Sequence, residues 1–137
     1  MYLVQPITLS PDQVDRFLAG VATLDIKPGP GGSRFSPWAS TRQRYGAELE
    51  AIFGRPIVQT AVVALYPSSQ LVAHRDAPIT GTRYHLPLQL NPGCWVFHFG
   101  MWQQLEVGRC YEMDPTEEHG AVNWGATVRL HLLVDVQ

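Results

Sequence analysis

TRYHLPLQL, residues 82–90, decides the fold. Neighbouring side chains of an extended chain point to opposite faces, so Tyr84, Leu86, Leu88 and Leu90 share one face. Arg83, His85, Pro87 and Gln89 share the other. The closing stretch TVRLHLLVDV, residues 127–136, repeats the arrangement. Val128, Leu130, Leu132 and Val134 oppose Arg129, His131, Leu133 and Asp135. An open antiparallel sheet would carry Lys, Glu, Thr and Ser on its wet side. Here the polar positions hold Arg and His, and no Lys follows Lys27. Such strands predict a polar cavity enclosed by sheet.

Working outward, the chain from Ile57 is a series of short β-rich runs: IVQTAVVALYP, LVAH, CWVFHFG, CYEMD and GAVNW, besides the two above. The turns carry PSS, NPG, EVG and NWG. Many short strands without intervening helices predict a sandwich, jelly roll or barrel. The first 56 residues read differently. Ser10, Pro11, Asp12 and Asp15 are helix-start residues, followed by an apolar stripe of Val14, Phe17, Leu18 and Val21. KPGPGGSRFSPW (Lys27 to Trp38) reads as a long loop that covers something. STRQRYGAELEAIFG reads as a second helix ending near Gly54. The expected organisation is one domain, with residues 1–56 as helical support and loop and residues 57–137 as the core.

Length and composition agree. The chain has 137 residues, 45% hydrophobic, enough for one domain with a sizeable core. The net charge of -2 excludes a general attraction to phosphate backbones or acidic membranes. No apolar run approaches the ~18 residues of a membrane span, and no signal peptide is visible, so a soluble, cytoplasmic protein is expected. Cys94 and Cys110 match no zinc or redox spacing and read as reduced thiols.

All five histidines, His74, His85, His98, His119 and His131, lie in the β-rich part. In HRD, His74 and Asp76 project to one side of an extended segment and could reach one metal ion, with Arg75 turned away. His119 follows at a predicted strand start. Two imidazoles and one carboxylate on one face leave about three positions open, the arrangement of non-haem Fe(II) sites. Arg129 lies ten residues further, on the inward face of the last strand. Its planar guanidinium suits a carboxylate held by two hydrogen bonds. Together these residues suggest a cosubstrate that chelates the metal and carries a far carboxylate.

The same residues resemble the Fe(II)/2-oxoglutarate-dependent dioxygenases, and among them the aspartyl/asparaginyl β-hydroxylase-like group. The resemblance runs over roughly residues 57–136. Its carriers are HRD, RYHLPL, NPGCWVFHFG, the series Trp102, Glu106, Gly108, Asp114, His119, Asn123, and RLHLLVDV. It implies a mainly β fold, a double-stranded β-helix of the jelly-roll, cupin-like kind, braced here by two N-terminal helices. It implies iron ligation by His74, Asp76 and His119. Arg129 would hold the far carboxylate of 2-oxoglutarate, with Arg83 and His85 also facing the cosubstrate. The reaction implied consumes O2, releases succinate and CO2, and hydroxylates an unactivated C–H bond. Asp76 is kept here although some animal relatives lack it. A serine that helps bind cosubstrate in some relatives corresponds, by ungapped counting, to Val63. At 137 residues the chain is expected to lack a large substrate-binding extension.

Substrate candidates are Arg34, Trp38 and Arg42 around the Gly/Pro-rich loop, and Trp102, Trp124 and His131 near the barrel mouth. The substrate would be a small molecule, an amino acid or a peptidyl side chain, with no nucleic acid or membrane partner, and the protein a monomer or homodimer. Two rivals stay open: a cupin-like metal enzyme that does not use 2-oxoglutarate, and a non-catalytic ligand-binding jelly roll.

Overall fold

The computed structural model describes residues 2–29 and 32–137. In chain order the elements are β1 (Leu3–Thr8), α1 (Pro11–Val21), β2 (Lys27–Pro28), β3 (Arg34–Phe35), α2 (Trp38–Phe53), β4 (Ile57–Leu65) and β5 (Ser69–His74). They continue with β6 (Thr82–Gln89), β7 (Cys94–His98), β8 (Met101–Gln103), β9 (Arg109–Met113), β10 (His119–Asn123) and β11 (Arg129–Val136).

Two antiparallel sheets face each other. The larger has the order β1-β9-β6-β11-β4-β3-β2 and the smaller β5-β10-β7-β8. From β4 onward the chain passes back and forth between the sheets, which makes the core a double-stranded β-helix, as expected. The alternation in the two guiding stretches survives. In register, His131 opposes Pro87, Leu133 opposes His85 and Asp135 opposes Arg83. These residues form the inner face. The outer face buries Leu86, Leu88, Leu130, Leu132, Val134 and Val136 beneath the helices.

The helices form for local reasons. Ser10 caps α1: its hydroxyl accepts from the Gln13 amide at 3.2 Å, while the Gln13 side chain accepts from the Ser10 amide at 2.8 Å. Thr41, Tyr45, Leu49 and Phe53, four apart, give α2 one buried stripe. Gly54 ends it with φ 66°, a left-handed position that costs glycine nothing. The Tyr45 hydroxyl donates to the Phe17 carbonyl at 2.7 Å and ties the helices together. Fully buried Phe17 and Leu49 are each worth about 1.5–3 kcal/mol of hydrophobic transfer. Cys110 lies in this outer cluster and Cys94 in the small sheet; both are buried, unpaired thiols.

The support segment contains strands that the sequence reading does not anticipate. Leu3–Thr8 pairs with β9 and extends the large sheet at one edge. Its half-exposed alternation is too short and too weakly apolar to stand out. In the expected loop, Lys27 pairs with Phe35 and Pro28 with Arg34, and β3 then pairs with β4 at the other edge. Pro30 and Gly31, at the middle of that loop, lie outside the described residues. Among the described residues no helix is long and apolar enough to cross a membrane.

Candidate metal and cosubstrate site

β5 and β10 run side by side, and their register sets His74 directly opposite His119. The register shifts between His119 and Ala121, and both imidazoles line the space between the sheets. Gly120 makes this approach feasible: a Cβ there would lie 2.8 Å from the Leu71 carbonyl oxygen. Asp76 follows the end of β5 and is fixed by its amide, which donates to the Pro115 carbonyl at 2.8 Å. Arg75 turns away, and its guanidinium donates to the Thr116 carbonyl at 3.0 Å.

The three side chains converge. One ligand atom from each of His74, Asp76 and His119 lies within 4.8 Å of the other two. The His74 Nε2 is 3.5 Å from one Asp76 oxygen, and the His119 Nε2 is 3.2 Å from the other. Both imidazoles are oriented from behind. The His74 Nδ1 lies 2.6 Å from the Val72 carbonyl and the His119 Nδ1 lies 2.8 Å from the Glu117 carbonyl. A carbonyl only accepts, so each Nδ1 carries a proton and Nε2, which faces Asp76, is the nitrogen left to ligate a metal. That donor set fits a divalent ion.

A cavity of about 420 Å³ runs inward from this cluster. Arg129 lines it on β11 and is 3% exposed, and its Nε has no hydrogen-bond partner among the described residues. Burial lowers the guanidinium's pKa from its ordinary value. A buried donor without an acceptor is costly, so the group calls for an anionic partner.

His85 also lines the cavity. Its Nδ1 lies 3.1 Å from the Nδ1 of His131, behind it, and the Nε2 of each ring has no hydrogen-bond partner among the described residues. Burial, reinforced by the Arg129 charge, holds both imidazoles well below the usual histidine range. Both are therefore neutral, and one Nδ1 donates to the other. If His131 is the donor, His85 keeps its proton on Nε2, toward the cavity.

The remaining predicted site residues fall in different places. Arg83 lines the cavity, but its Nε and Nη2 donate to the two oxygens of fully buried Asp135 at 2.8 and 2.9 Å. Trp38 lies 5.9 Å beneath the Arg83 guanidinium and beside Phe35, outside the cavity lining. Arg34 lies on the face of β3 opposite Phe35 and stacks on Tyr66 at 4.5 Å. Trp102 packs on Phe97 across β7 and β8 and does not line the cavity. His131 is fully buried, lies outside the cavity lining and touches His85 from behind. Sequence reasoning passed over Tyr2, Phe35 and Met113, which do line it. Tyr2 gave no signal, because it precedes a strand that was not read. Its hydroxyl is pushed up to about 12 by burial, against the opposing pull of Arg129. Phe35 sat in view between two residues that were singled out.

Two histidines and a carboxylate converge at the mouth of a β-helix cavity that also holds a buried arginine, a donor set of the kind that non-haem iron sites use. The sequence profile of the aspartyl/asparaginyl β-hydroxylase family matches residues 47–137, and the chain belongs to that family. It is thus an enzyme of the 2-oxoglutarate-dependent oxygenase class. No curated protein matches it. Solved structures share the fold. A prolyl-4-hydroxylase from Pseudomonas putida aligns with a TM-score of 0.69 at 16% identity, over 99% of this chain and 91% of that one. HygX from Streptomyces hygroscopicus, solved with nickel and 2-oxoglutarate, aligns with a TM-score of 0.73 at 13% identity, over 97% and 81%. An oxidoreductase of the 2OG-Fe(II) oxygenase family from Burkholderia pseudomallei gives 0.69 at 16% identity, over 98% and 84%.

Proposed function

We propose that this chain is an Fe(II)- and 2-oxoglutarate-dependent oxygenase that hydroxylates an unactivated C–H bond of a small molecule, an amino acid or a peptidyl side chain. The observation that carries the reading is a pairing. Three metal-competent atoms meet beside a cavity that also holds an arginine buried without a partner for its Nε. A cupin-like enzyme that does not use 2-oxoglutarate leaves that arginine unexplained. A non-catalytic binding module leaves the His74, Asp76 and His119 cluster unexplained.

In this reading His74, Asp76 and His119 hold the iron. When bound, the iron and 2-oxoglutarate supply, with O2, the oxidising power, and succinate and CO2 leave as products. The protein's part is to bind, orient and exclude water. Arg129 anchors the far carboxylate through charge-assisted hydrogen bonds, which satisfies its buried donor. His85 presents Nε2–H to the cosubstrate, and His131 fixes that tautomer from behind. Tyr2 stays protonated and closes the cavity beside Arg129. Arg83 stiffens the wall through Asp135, which Gln59 also holds at 2.7 Å.

Anaerobic titration tests this. Ferrous protein with 2-oxoglutarate should develop a weak visible charge-transfer band, and succinate should be released when O2, ascorbate and a substrate from an amino-acid and peptide panel are added. Absence of the band at saturating 2-oxoglutarate overturns the reading.

A further inference from the structure

The geometry points to an uncharged, largely aliphatic group as the moiety that enters this cavity for oxidation, with Phe35 as the residue that selects it. The inference rests on the oxygenase reading and adds the substrate's chemistry.

The charges around the cavity decide it. Among the described residues its only lining guanidinium groups are those of Arg83 and Arg129. Arg83 is neutralised by two hydrogen bonds to Asp135. Arg129 is taken by the cosubstrate. The lining acid, Asp76, belongs to the metal cluster. No cation is left to receive a carboxylate from substrate, and a carboxylate taken from water without one is strongly disfavoured. The rest of the wall is chiefly carbon: Phe35, Val63, Leu71, Ala73, Met113 and Leu133.

Phe35 is held in place by the backbone around it. β3 pairs it with Val63, so both side chains share the cavity face, while Arg34 pairs with Ala64 on the other. The Ser36 amide donates to the Val62 carbonyl at 2.9 Å, and the Val62 amide donates back to the Ser36 hydroxyl at 2.7 Å. Gly29 leaves room for the ring: a Cβ there would lie 2.3 Å from Phe35 Cδ2. The register that turns Phe35 in thus turns the nearby basic residue, Arg34, out. A shift by one residue would reverse them.

Ligand-observed saturation-transfer NMR on zinc-loaded protein saturated with 2-oxoglutarate tests this. The probes are cyclohexanol and cyclohexanecarboxylate, the same ring without and with a charge. Cyclohexanol is expected to bind the wild type at least about tenfold more tightly. Phe35→Leu should keep that preference, and Phe35→Arg should reverse it. The inference is overturned if the carboxylate binds the wild type as well as the alcohol, if neither binds, or if a folded Phe35→Arg protein keeps the wild-type preference. The signals of 2-oxoglutarate in the same spectra report the cosubstrate separately. Their absence would count against the oxygenase reading, and a wrong probe preference beside a bound cosubstrate counts against this inference alone.

Discussion

Acidification of the metal-free protein tests the buried histidine pair directly. In the fold, burial and the Arg129 charge keep His85 and His131 neutral to well below the usual histidine range. In the unfolded chain each takes up a proton near the ordinary pKa of about 6.5. Between those limits the unfolded state binds more protons, so stability falls as pH falls through about 6.5 and returns above it. From pH 7.5 to 5.5 each histidine should remove about 1.4 kcal/mol, and the pair about 2.7 kcal/mol. At this chain length that is roughly 10 °C in Tm. The assay is urea unfolding followed by tryptophan fluorescence at three pH values, in wild type and in the His85→Leu/His131→Leu double variant. Other titrating groups largely cancel in the difference of slopes, so the comparison holds even if the variant is less stable overall. A double variant that loses stability with pH as steeply as the wild type would refute the argument.

Three further outcomes follow from the same geometry. Arg129→Met should leave the metal-free protein as stable or more stable, since it removes a buried guanidinium whose Nε has no hydrogen-bond partner among the described residues, while weakening 2-oxoglutarate binding by roughly 100-fold or more; calorimetric titration of zinc-loaded protein measures this, and unchanged affinity would remove Arg129 from the site. Arg83→Leu should cost about 3–5 kcal/mol in urea unfolding by leaving Asp135 buried with only Gln59, and adding Asp135→Leu should recover most of it. Ni(II) at about 100 times its Kd should stabilise the wild type by about 2.7 kcal/mol in thermal unfolding, and His119→Ala should abolish the gain.

The alternation in TRYHLPLQL and TVRLHLLVDV was enough to predict a sheet with an Arg- and His-lined inner face, because strand period alone assigns each side chain to a side. The capping chemistry at Ser10 and the stop at Gly54 were equally local. The two-residue spacing of His74 and Asp76 marked them as one-sided partners. What spacing could not supply was closure. His119 meets them because β10 lies beside β5 in the small sheet, a pairing between segments far apart in sequence. Arg83 and Arg129 look alike as inward arginines on neighbouring strands. Only the β6–β11 register sets Asp135 opposite Arg83 and leaves the Nε of Arg129 without a partner. Phe35 faces the cavity, and Arg34 does not, because a two-residue strand docks on β4 in one register. Local sequence fixes which face a side chain takes along its own strand. Which strands become neighbours, and in what register, depends on burying the whole apolar surface at once, and that choice assembled the site.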